Sequence, residues 1–391
     1  MKILAFTNIF PSALEPTRGV FNRQWFSALS KYDEVGVVCP LPWWNRLRTP
    51  AALIHAPEET IEGMPVVYPT YWSIPGMISL HPTGMTRSVR RTVQQVHREF
   101  PFDAILAAWA CPDAVAAAAF AKEAGVPLIV KVLGSDINVV AENPRLRPRI
   151  VAALQQASSI LAVSQALGEK ICAMGDFADK VVVRHNAVNG GLFYPREQAS
   201  LRAALGLPLD KKLICYAGNF RAVKGTDILI EAMGMLKDRE DIHLALVGSG
   251  PLEENAHSRL KELGMEDRVM FCGRQPHEKI AEYMAACDIF CLPSRMEGCP
   301  NVVLEALASG RPVVATKVGG VPELINKTNG LVAEPENPTA LAEALRQAAD
   351  RLWDPQALRN TVEFLSWDTV GLFLHELIGE GVSRKNLGAR S

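Results

Sequence analysis

Two glutamates, Glu297 and Glu305, stand eight positions apart in the segment "EGCPNVVLE". Pro300 between them suits the first turn of a helix, where a backbone donor is not needed. The run "NVVLEALAS" then continues at helical spacing until Gly310 and Pro312 end it. The pattern therefore predicts a carboxylate in a loop, a helix start, and a second carboxylate about one turn inside the helix.

The predicted helix start has the chemistry of an anion site. Backbone N–H groups near Gly298, Cys299 and Asn301 would point out of a helix N-terminus, which attracts phosphate. The Glu305 carboxylate would repel phosphate but suits two neighbouring hydroxyls, as on a ribose, and Glu297 could reach a different hydroxyl group. Either glutamate alone would more often be a solvated surface residue. Together they suit a nucleoside diphosphate that carries a sugar.

A second segment, "LICYAGNFRAVKGTDILIEAM", predicts a strand that ends at Gly218, a loop with Arg221 and Lys224, and a helix that opens at Gly225. A lysine at a helix N-terminus is a phosphate site in physical terms, although exposed lysines near turns are common. A third segment, "LALVGSGPLEE", lacks the last glycine of a dinucleotide turn, because Glu253 stands there. NAD and FAD binding are therefore disfavoured.

Apolar strand-like runs alternate with helical patterns along the whole chain, which predicts parallel sheets covered on both faces. The predicted strands are Ile3–Thr7, Val35–Cys39, Ala104–Ala107, Leu128–Val132, Ile160–Val163, Val181–Val183, Leu213–Ala217, His243–Val247, Val269–Cys272, Ile289–Leu292 and Val313–Thr316. The predicted fold class is α/β, with two Rossmann-like doubly wound domains that face each other across a cleft.

The domain boundary is predicted in the Gly-, Asn- and Pro-rich segment "HNAVNGGLFYPRE". One domain would cover residues 1–187 and the other residues 188–367, with a C-terminal helix at about 368–391 packed back on the first. Ligands of open parallel sheets bind beyond the carboxyl ends of the strands. The cleft between the two domains is therefore the expected site.

The composition excludes several functional classes. A net charge of -1 argues against a protein that binds nucleic acid by neutralising phosphates. The N-terminal apolar run is too short for a secretory leader, and the longest apolar stretch is interrupted by Pro112 and Asp113. We therefore expect a cytoplasmic protein.

Two aspartates after predicted strands of the first domain, Asp113 and Asp136, are candidates for contact with a second substrate, although Asp136 could equally be a helix N-cap or a loop residue. Two further segments stand out: "WWNRLR" (43–48), and "GMTRSVRRTVQQVHREF" (84–100), which can form a helix with three arginines on adjoining turns. Basic and aromatic groups suit peripheral docking on an anionic membrane. A solvated basic helix and two packed tryptophans are the alternative.

The order of these segments resembles the retaining glycosyltransferases of family 4, which have the two-domain GT-B fold. The resemblance covers nearly the whole chain and is strongest from Ile214 to Ala333, through "GNFRAVKGTDILIEA", "LVGSGPLEE", "EGCPNVVLEALASGRPVVAT" and "GGVPELI". In the first half, "PTRGVFNRQ" and "GSDIN" are similar to the branch that builds exopolysaccharide, teichuronic-acid-like and capsular glycans.

The resemblance implies a role for each matching residue. Glu305 would bind the ribose, Glu297 the donor sugar and Lys224 the diphosphate, while the base would pack near Gly273 and Arg274. The implied catalytic residues are Lys224, Arg221 and Glu297, and Asp113 and Asp136 are the candidates for the acceptor side, where lipid-linked acceptors would reside at a membrane. The implied donor-binding residues are Gly19, where a side chain would block the phosphates, and Gly218, Asn219, Gly273, Arg274, Gly298, Cys299, Pro300, Asn301, Val302 and Glu305.

Three positions depart from the family pattern. The stretch "LAAW" (106–109) has Ala108 where the family has a histidine near the donor sugar, and Leu133 replaces a histidine or arginine before "GSDI". Asn219 stands where an arginine is frequent, with Arg221 two residues on.

The resemblance also implies a mechanism without a protein nucleophile. The leaving diphosphate oxygen can take the proton of the incoming hydroxyl on the same face of the sugar, while the protein positions the substrates and stabilises charge. The two glutamates are therefore not a glycosidase acid–base pair. No DxD motif follows a predicted strand, so we expect no divalent metal and no other cofactor.

The predicted function is transfer of a sugar, from a UDP-sugar by preference, to a glycan or lipid-linked acceptor in cell-surface polysaccharide synthesis. One alternative is a nucleotide-sugar-binding homologue whose catalysis is impaired by Ala108, which would bind without turnover. Another is a sugar-nucleotide 2-epimerase of the same fold, which would need no acceptor. The donor sugar, base, acceptor, linkage and oligomeric state cannot be read from the sequence.

Overall fold

The computed structural model describes residues 1–12, 15–16, 18–48 and 58–388, and the chain divides into two compact units. The first unit contains residues 1–185 and the segment from Trp367 onward, and the second contains Asn186–Ser366. The sequence analysis placed these boundaries after residues 187 and 367.

The first unit is built on an eight-stranded sheet whose strands follow the order β10-β9-β8-β7-β1-β2-β5-β4. All neighbours are parallel except β4 and β5. Its central strands are buried on both faces, which explains their nearly continuous apolar sequence. The strands are β1 Lys2–Phe6, β2 Glu34–Val38, β3 Leu41–Pro42, β4 Glu58–Ile61, β5 Met64–Val67, β6 Thr70–Tyr71, β7 Ala104–Ala108, β8 Leu128–Val132, β9 Ser159–Ala162 and β10 Val181–Val183, of which β3 and β6 form a separate pair.

The helices of this unit are α1 Val20–Leu29, α2 Trp43–Arg48, α3 His81–Glu99, α4 Val115–Ala124, α5 Ser135–Asn138, α6 Arg147–Gln156 and α7 Gln165–Cys172. No helix in the described part of the chain is long and apolar enough to cross a membrane.

The second unit contains a fully parallel six-stranded sheet in the order β13-β12-β11-β14-β15-β16. Its strands are β11 Lys212–Ala217, β12 Ile242–Val247, β13 Val269–Gly273, β14 Ile289–Leu292, β15 Val313–Thr316 and β16 Gly330–Ala333. Its helices are α8 Gln198–Leu205, α9 Thr226–Met235, α10 Glu253–Leu263, α11 His277–Ala286, α12 Asn301–Ala308, α13 Val321–Leu324, α14 Pro338–Asp350 and α15 Pro355–Asn360. Ile214, Leu244, Leu229 and Leu345 lie in its apolar core.

The last helix, α16 Trp367–Gly388, returns to the first unit and packs on α1. A Cβ on Gly371 would lie 2.2 Å from the carbonyl oxygen of Ala28, so glycine permits the two helices to approach closely. Trp367 meets Trp25 edge-on at 6.3 Å between ring centroids. Residues 389–391 of the predicted C-terminal helix lie outside the described residues.

Both sheets reverse their winding direction once. In the first, the chain runs outward from β1 through β2 on one side and from β7 through β8 on the other; in the second, the reversal falls between β11 and β14. The predicted class, α/β with two Rossmann-like parallel sheets, is confirmed. In such sheets a ligand binds beyond the carboxyl ends of the strands, at the reversal point.

Candidate functional site

The loops that follow β11 and β14 are interlocked at the reversal point of the second sheet. Gly225 has φ 65°, and a Cβ there would lie 1.9 Å from the carbonyl oxygen of Pro293. The N–H of Arg295 donates to the carbonyl of Val223 at 2.9 Å. Only glycine at position 225 permits this approach. The approach brings together the two segments that carry Lys224 and Glu297.

Lys224 and Glu297 form an ion pair at this junction. Lys224 Nζ lies 2.7 Å from Glu297 Oε1, and the Ser294 hydroxyl donates to the same oxygen at 2.6 Å. The Glu297 side chain is 10% exposed and that of Lys224 is 33% exposed. The sequence analysis selected both residues but assigned them to different parts of the donor. The structure shows that the two side chains pair with each other.

Arg295, which the sequence analysis missed, fixes the loop that carries Lys224. Its guanidinium makes two parallel bonds to Asp227, at 2.8 and 2.7 Å, and also contacts Glu336 and the carbonyl of Ala222. The hydrogen bonds from Arg295 lower the pKa of the Asp227 carboxyl. Ala222 begins the 3₁₀ turn that ends at Lys224, so this network sets where the lysine lies.

The segment from Glu297 to Val302 leads into α12, as predicted. Pro300 immediately precedes the helix with φ −74°, and Asn301 is its first residue. The Asn301 Oδ1 is buried without a hydrogen-bond partner among the described residues. The first amides of a helix also lack acceptors inside the helix. The start of α12 therefore presents polar groups that a ligand could satisfy.

The glycines of "GGVPELI" cover the Glu297 loop. Gly319 has φ 51°, and a Cβ on it would lie 1.9 Å from the carbonyl oxygen of Glu297. The N–H of Gly320 donates to the carbonyl of Gly298 at 2.9 Å. On the other side, Cys299 is buried and its carbonyl accepts from Asn186 Nδ2 at 3.4 Å. The loop is thus held on both sides by its own unit.

Glu305 lies in the second turn of α12 and is only 5% exposed. Its Oε1 is 3.0 Å from Nε2 of His277, the first residue of α11. The His277 ring in turn meets Phe193 edge-on at 5.1 Å. Sequence reasoning missed His277, because nothing in the pattern links a residue at the start of one helix to a carboxylate 28 positions later.

Gly218, which follows β11, and Gly273, the last residue of β13, both make close contacts within the second unit. A Cβ on Gly218 would lie 2.8 Å from the Tyr216 hydroxyl oxygen, and that hydroxyl donates to the carbonyl of Asn219 at 3.0 Å. Gly273 has φ 64°, and its carbonyl accepts from the N–H of Gly248 at 2.8 Å.

The donor contacts of these loops stay predictions. Arg221 and Arg274 are exposed. Val302, in the first turn of α12, is partly exposed.

In the first unit, Gly19 precedes α1 with φ 64°, and a Cβ on it would lie 2.3 Å from the carbonyl oxygen of Ile9. This close approach by itself requires a glycine. The predicted contact between Gly19 and the phosphates stays a prediction.

Asp113 lies near the carboxyl end of β7, at the reversal point of the first sheet, and is fully buried. Its Oδ2 accepts from the N–H of Asn8 at 2.9 Å and from the Thr7 hydroxyl at 3.3 Å, while Oδ1 has no partner among the described residues. Burial raises the pKa of this carboxyl well above its usual range, and the Asn8 and Thr7 hydrogen bonds oppose that rise. The predicted contact between Asp113 and a sugar acceptor stays a prediction.

The Asp136 carboxylate accepts hydrogen bonds from the backbone. Its two oxygens accept from the N–H groups of Ala110 at 3.0 Å, Leu133 at 3.1 and 3.3 Å, and Gly134 at 2.8 Å. Burial raises its carboxyl pKa, and these amides oppose the rise. These contacts favour the interpretation of Asp136 as a residue that stabilises its loop over the prediction that it contacts the sugar acceptor.

Among the residues that the structure describes, no group of three or more His, Cys, Asp or Glu side chains could hold a metal ion. Independence from divalent metal stays a prediction for the reaction itself.

Comparisons with known proteins match the two units to two family models. Residues 27–187 match the glycosyl transferase 4-like domain, and residues 197–360 match the glycosyl transferases group 1. A Bacillus subtilis (strain 168) protein named as the teichuronic acid biosynthesis glycosyltransferase TuaC is 32% identical over 377 residues, 93% of each chain. The N-acetyl-alpha-D-glucosaminyl L-malate synthase of Bacillus anthracis is 30% identical over 65% of this chain and 66% of its own length.

Solved structures share the fold at lower identity. Sucrose-phosphate synthase from Thermosynechococcus elongatus superposes with a TM-score of 0.77 at 23% identity, covering 100% of this chain and 99% of that one. Anabaena HepE, solved in complex with UDP, gives a TM-score of 0.76 at 23% identity, over 97% and 100% of the two chains.

Proposed function

Because this chain belongs to the glycosyltransferases, with a 4-like domain followed by a group 1 domain, we propose that it moves a sugar from a UDP-sugar to a glycan or lipid-linked hydroxyl. The proposed setting is cell-surface polysaccharide synthesis. The UDP complexes of HepE support the choice of donor, and the name of the B. subtilis relative supports the setting.

One observation carries the donor site. At the reversal point of the second sheet, an ion pair of Lys224 and Glu297 lies just before a helix whose second turn carries the buried Glu305. A nucleotide sugar has a diphosphate for the lysine, sugar hydroxyls for the first glutamate and ribose hydroxyls for the second. Donor binding would replace the Lys224–Glu297 pair by two ligand contacts, in which the diphosphate pairs with the Lys224 charge and the sugar hydroxyls donate hydrogen bonds to Glu297.

In the proposed reaction the configuration at the anomeric carbon is retained. The acceptor hydroxyl attacks on the face from which the diphosphate leaves, and its proton passes to the leaving phosphate oxygen. Lys224, Arg221 and the start of α12 stabilise the charge that develops on the diphosphate. No protein side chain needs to become a nucleophile, and no metal is required for this charge balance.

For the acceptor, we propose that Asp113 contributes a polar contact. Its Oδ1, which has no hydrogen-bond partner in the described part of the chain, lies at the reversal point of the first sheet, the place where such sheets bind ligands. Ala108 is fully buried at the end of β7 and has no polar side-chain atom to replace the histidine of the family. In this proposal Ala108 contributes no polar contact to the donor sugar.

We also propose that the first unit docks peripherally on the inner face of an anionic membrane. Between β6 and α3, five apolar side chains are exposed: Trp72 (65%), Ile74 (52%), Met77 (45%), Ile78 (47%) and Leu80 (40%). The Trp72 ring stacks on Trp43 at 5.2 Å. The sequence from Gly63 to Arg98 contains no acidic residue, and Arg87 and Arg91 are exposed. An apolar segment followed by a helix with exposed arginines suits anionic lipid, although Arg90 of that helix pairs with Glu123.

Transfer is tested with UDP-sugars in EDTA, with glycan and lipid-linked acceptors, by following release of UDP and the anomeric signal of the product in NMR spectra. We expect acceptor-dependent release and a retained configuration. Binding without turnover across donors and acceptors would instead identify an impaired homologue. A change of the sugar nucleotide without acceptor would identify an epimerase.

Membrane docking is tested separately by co-sedimentation with vesicles of phosphatidylcholine alone or with phosphatidylglycerol. Binding should require the anionic lipid and should fall in Trp72→Ser and Ile78→Ser. The exposed Leu352 of the second unit, at 94% exposure, provides a matched control, Leu352→Ser. Equal binding by all variants would rule out this surface.

A further inference from the structure

The His277 imidazole contacts the carboxylate of the buried Glu305. Glu305 is 5% exposed on α12, and an ionised carboxylate can only accept hydrogen bonds. The imidazole Nε2–H of His277 therefore donates to Oε1, at 3.0 Å. The edge-on contact with Phe193 holds the ring on its other side.

This contact has two consequences for a ligand. A buried carboxylate without hydrogen bonds is costly, so the bond from His277 lowers the cost of burying Glu305. A bond to Oε1 also fixes the carboxylate plane, which leaves Oε2 and the second lone pair of Oε1 for the two neighbouring hydroxyls of a ribose. Pre-oriented groups bind more tightly because their ordering cost is already met.

We propose that His277 is a positioning residue of the nucleoside site, which acts through Glu305 on recognition of the ribose hydroxyls. This inference rests on the proposed function, since it takes Glu305 as the ribose-binding carboxylate. Its contribution is specific to the ribose, so it vanishes for a nucleotide that lacks the two hydroxyls.

The test is a binding cycle that needs no turnover. Dissociation constants for UDP and 2′,3′-dideoxy-UDP are measured by calorimetry on wild type, His277→Leu and His277→Gln. Leucine removes the donor while keeping an apolar side chain against Phe193, and glutamine restores an N–H donor. His257→Leu is the matched control, because His257 is exposed and stacks on Phe271 in the same unit.

We expect His277→Leu to weaken UDP binding about tenfold, the effect of about 1.4 kcal/mol, and to change dideoxy-UDP binding by less than about threefold. His277→Gln should recover most of the UDP affinity, and His257→Leu should match wild type. Thermal unfolding without ligand checks that each variant is folded.

Two failures are distinguishable. If wild type prefers UDP over the dideoxy nucleotide and His277→Leu keeps the same preference, or binds UDP more tightly, the role of His277 is wrong while the donor site stands. If wild type shows no preference or binds neither nucleotide, the ribose assignment of Glu305 fails, and the inference fails with it.

Discussion

At the scale of single residues, Lys224 is the most direct test of the proposed chemistry. Replacing it by alanine removes the cation assigned to the leaving diphosphate, so turnover should fall at least tenfold, a loss of about 1.4 kcal/mol or more of transition-state stabilisation. Lys279→Ala is the control, because Lys279 also pairs with a glutamate at 2.7 Å in the same unit. Unchanged turnover in Lys224→Ala would refute the phosphate assignment.

Asp113 predicts how stability depends on pH. Its carboxyl pKa is raised by burial, so the folded state holds a proton that the unfolded state releases above about pH 3.9. Ionisation therefore costs stability progressively as the pH rises from that value through the folded-state pKa. Asp113→Asn removes this cost, so its urea-unfolding free energy should gain on that of wild type between pH 4 and 8. A difference that is constant with pH would contradict this account.

Sequence spacing could select Glu297, Glu305 and Lys224, because each belongs to a local helix-start or loop pattern. It could not reveal that Lys224 pairs with Glu297, 73 positions away, or that His277 meets Glu305. These pairs arise from adjacency of elements in the sheet, which a local pattern does not encode. The same limit hid Arg295, whose partners Asp227 and Glu336 lie on other elements.

At the scale of elements, the loop after β11 depends on Arg295. Arg295→Ala would free the turn that ends at Lys224, so kcat should fall about tenfold while the KM for the donor changes less, because the lysine acts mainly on the leaving group. Lysine at this position should not restore activity, since it cannot reproduce the planar two-bond contact. Arg346→Ala is the control. It removes a similar two-bond pair with Asp238, in the segment that connects α9 to β12, and should leave kcat unchanged.

The α5 loop depends on Asp136. Asp136→Ala would leave the buried amides of Ala110, Leu133 and Gly134 without their acceptor, at a cost of about 2–4 kcal/mol in unfolding free energy. Urea unfolding of this variant should show that loss, whereas the exposed Asp176→Ala should lie close to wild type. A stable Asp136→Ala with a raised KM for the acceptor would instead support the acceptor contact.

Strands buried on both faces were predictable because their apolar runs are continuous: β8, β14 and β15 have the predicted bounds. The partly exposed edge strand β10 also has them, because its three residues are all valine. The sequence analysis missed β3, β4, β5, β6 and β16. The strands β3 and β6 have two residues each, the other three have four, and β4 and β16 lie at sheet edges. β4 is half acidic, and β5 contains Pro65, so neither shows the pattern of a buried strand.

At the scale of the whole molecule, two sheets with the same reversal of winding could be predicted from the alternation of strands and helices alone. The helix α16 packs on α1 only after the chain has passed through the entire second unit, so no local pattern encodes this contact. The identity of the sugar and acceptor depends on side-chain contacts with ligands, which no pattern of elements specifies.

The central claim is that the second unit binds a nucleoside diphosphate through Glu305. Thermal unfolding in EDTA with UDP, GDP and ADP, for wild type and Glu305→Ala, tests it most directly. A nucleotide at about a hundred times its dissociation constant adds about 2.7 kcal/mol to the stability of the folded state. We predict stabilisation by UDP that is lost in Glu305→Ala. Absence of a shift with every nucleotide, or an equal shift in the variant, would contradict the account.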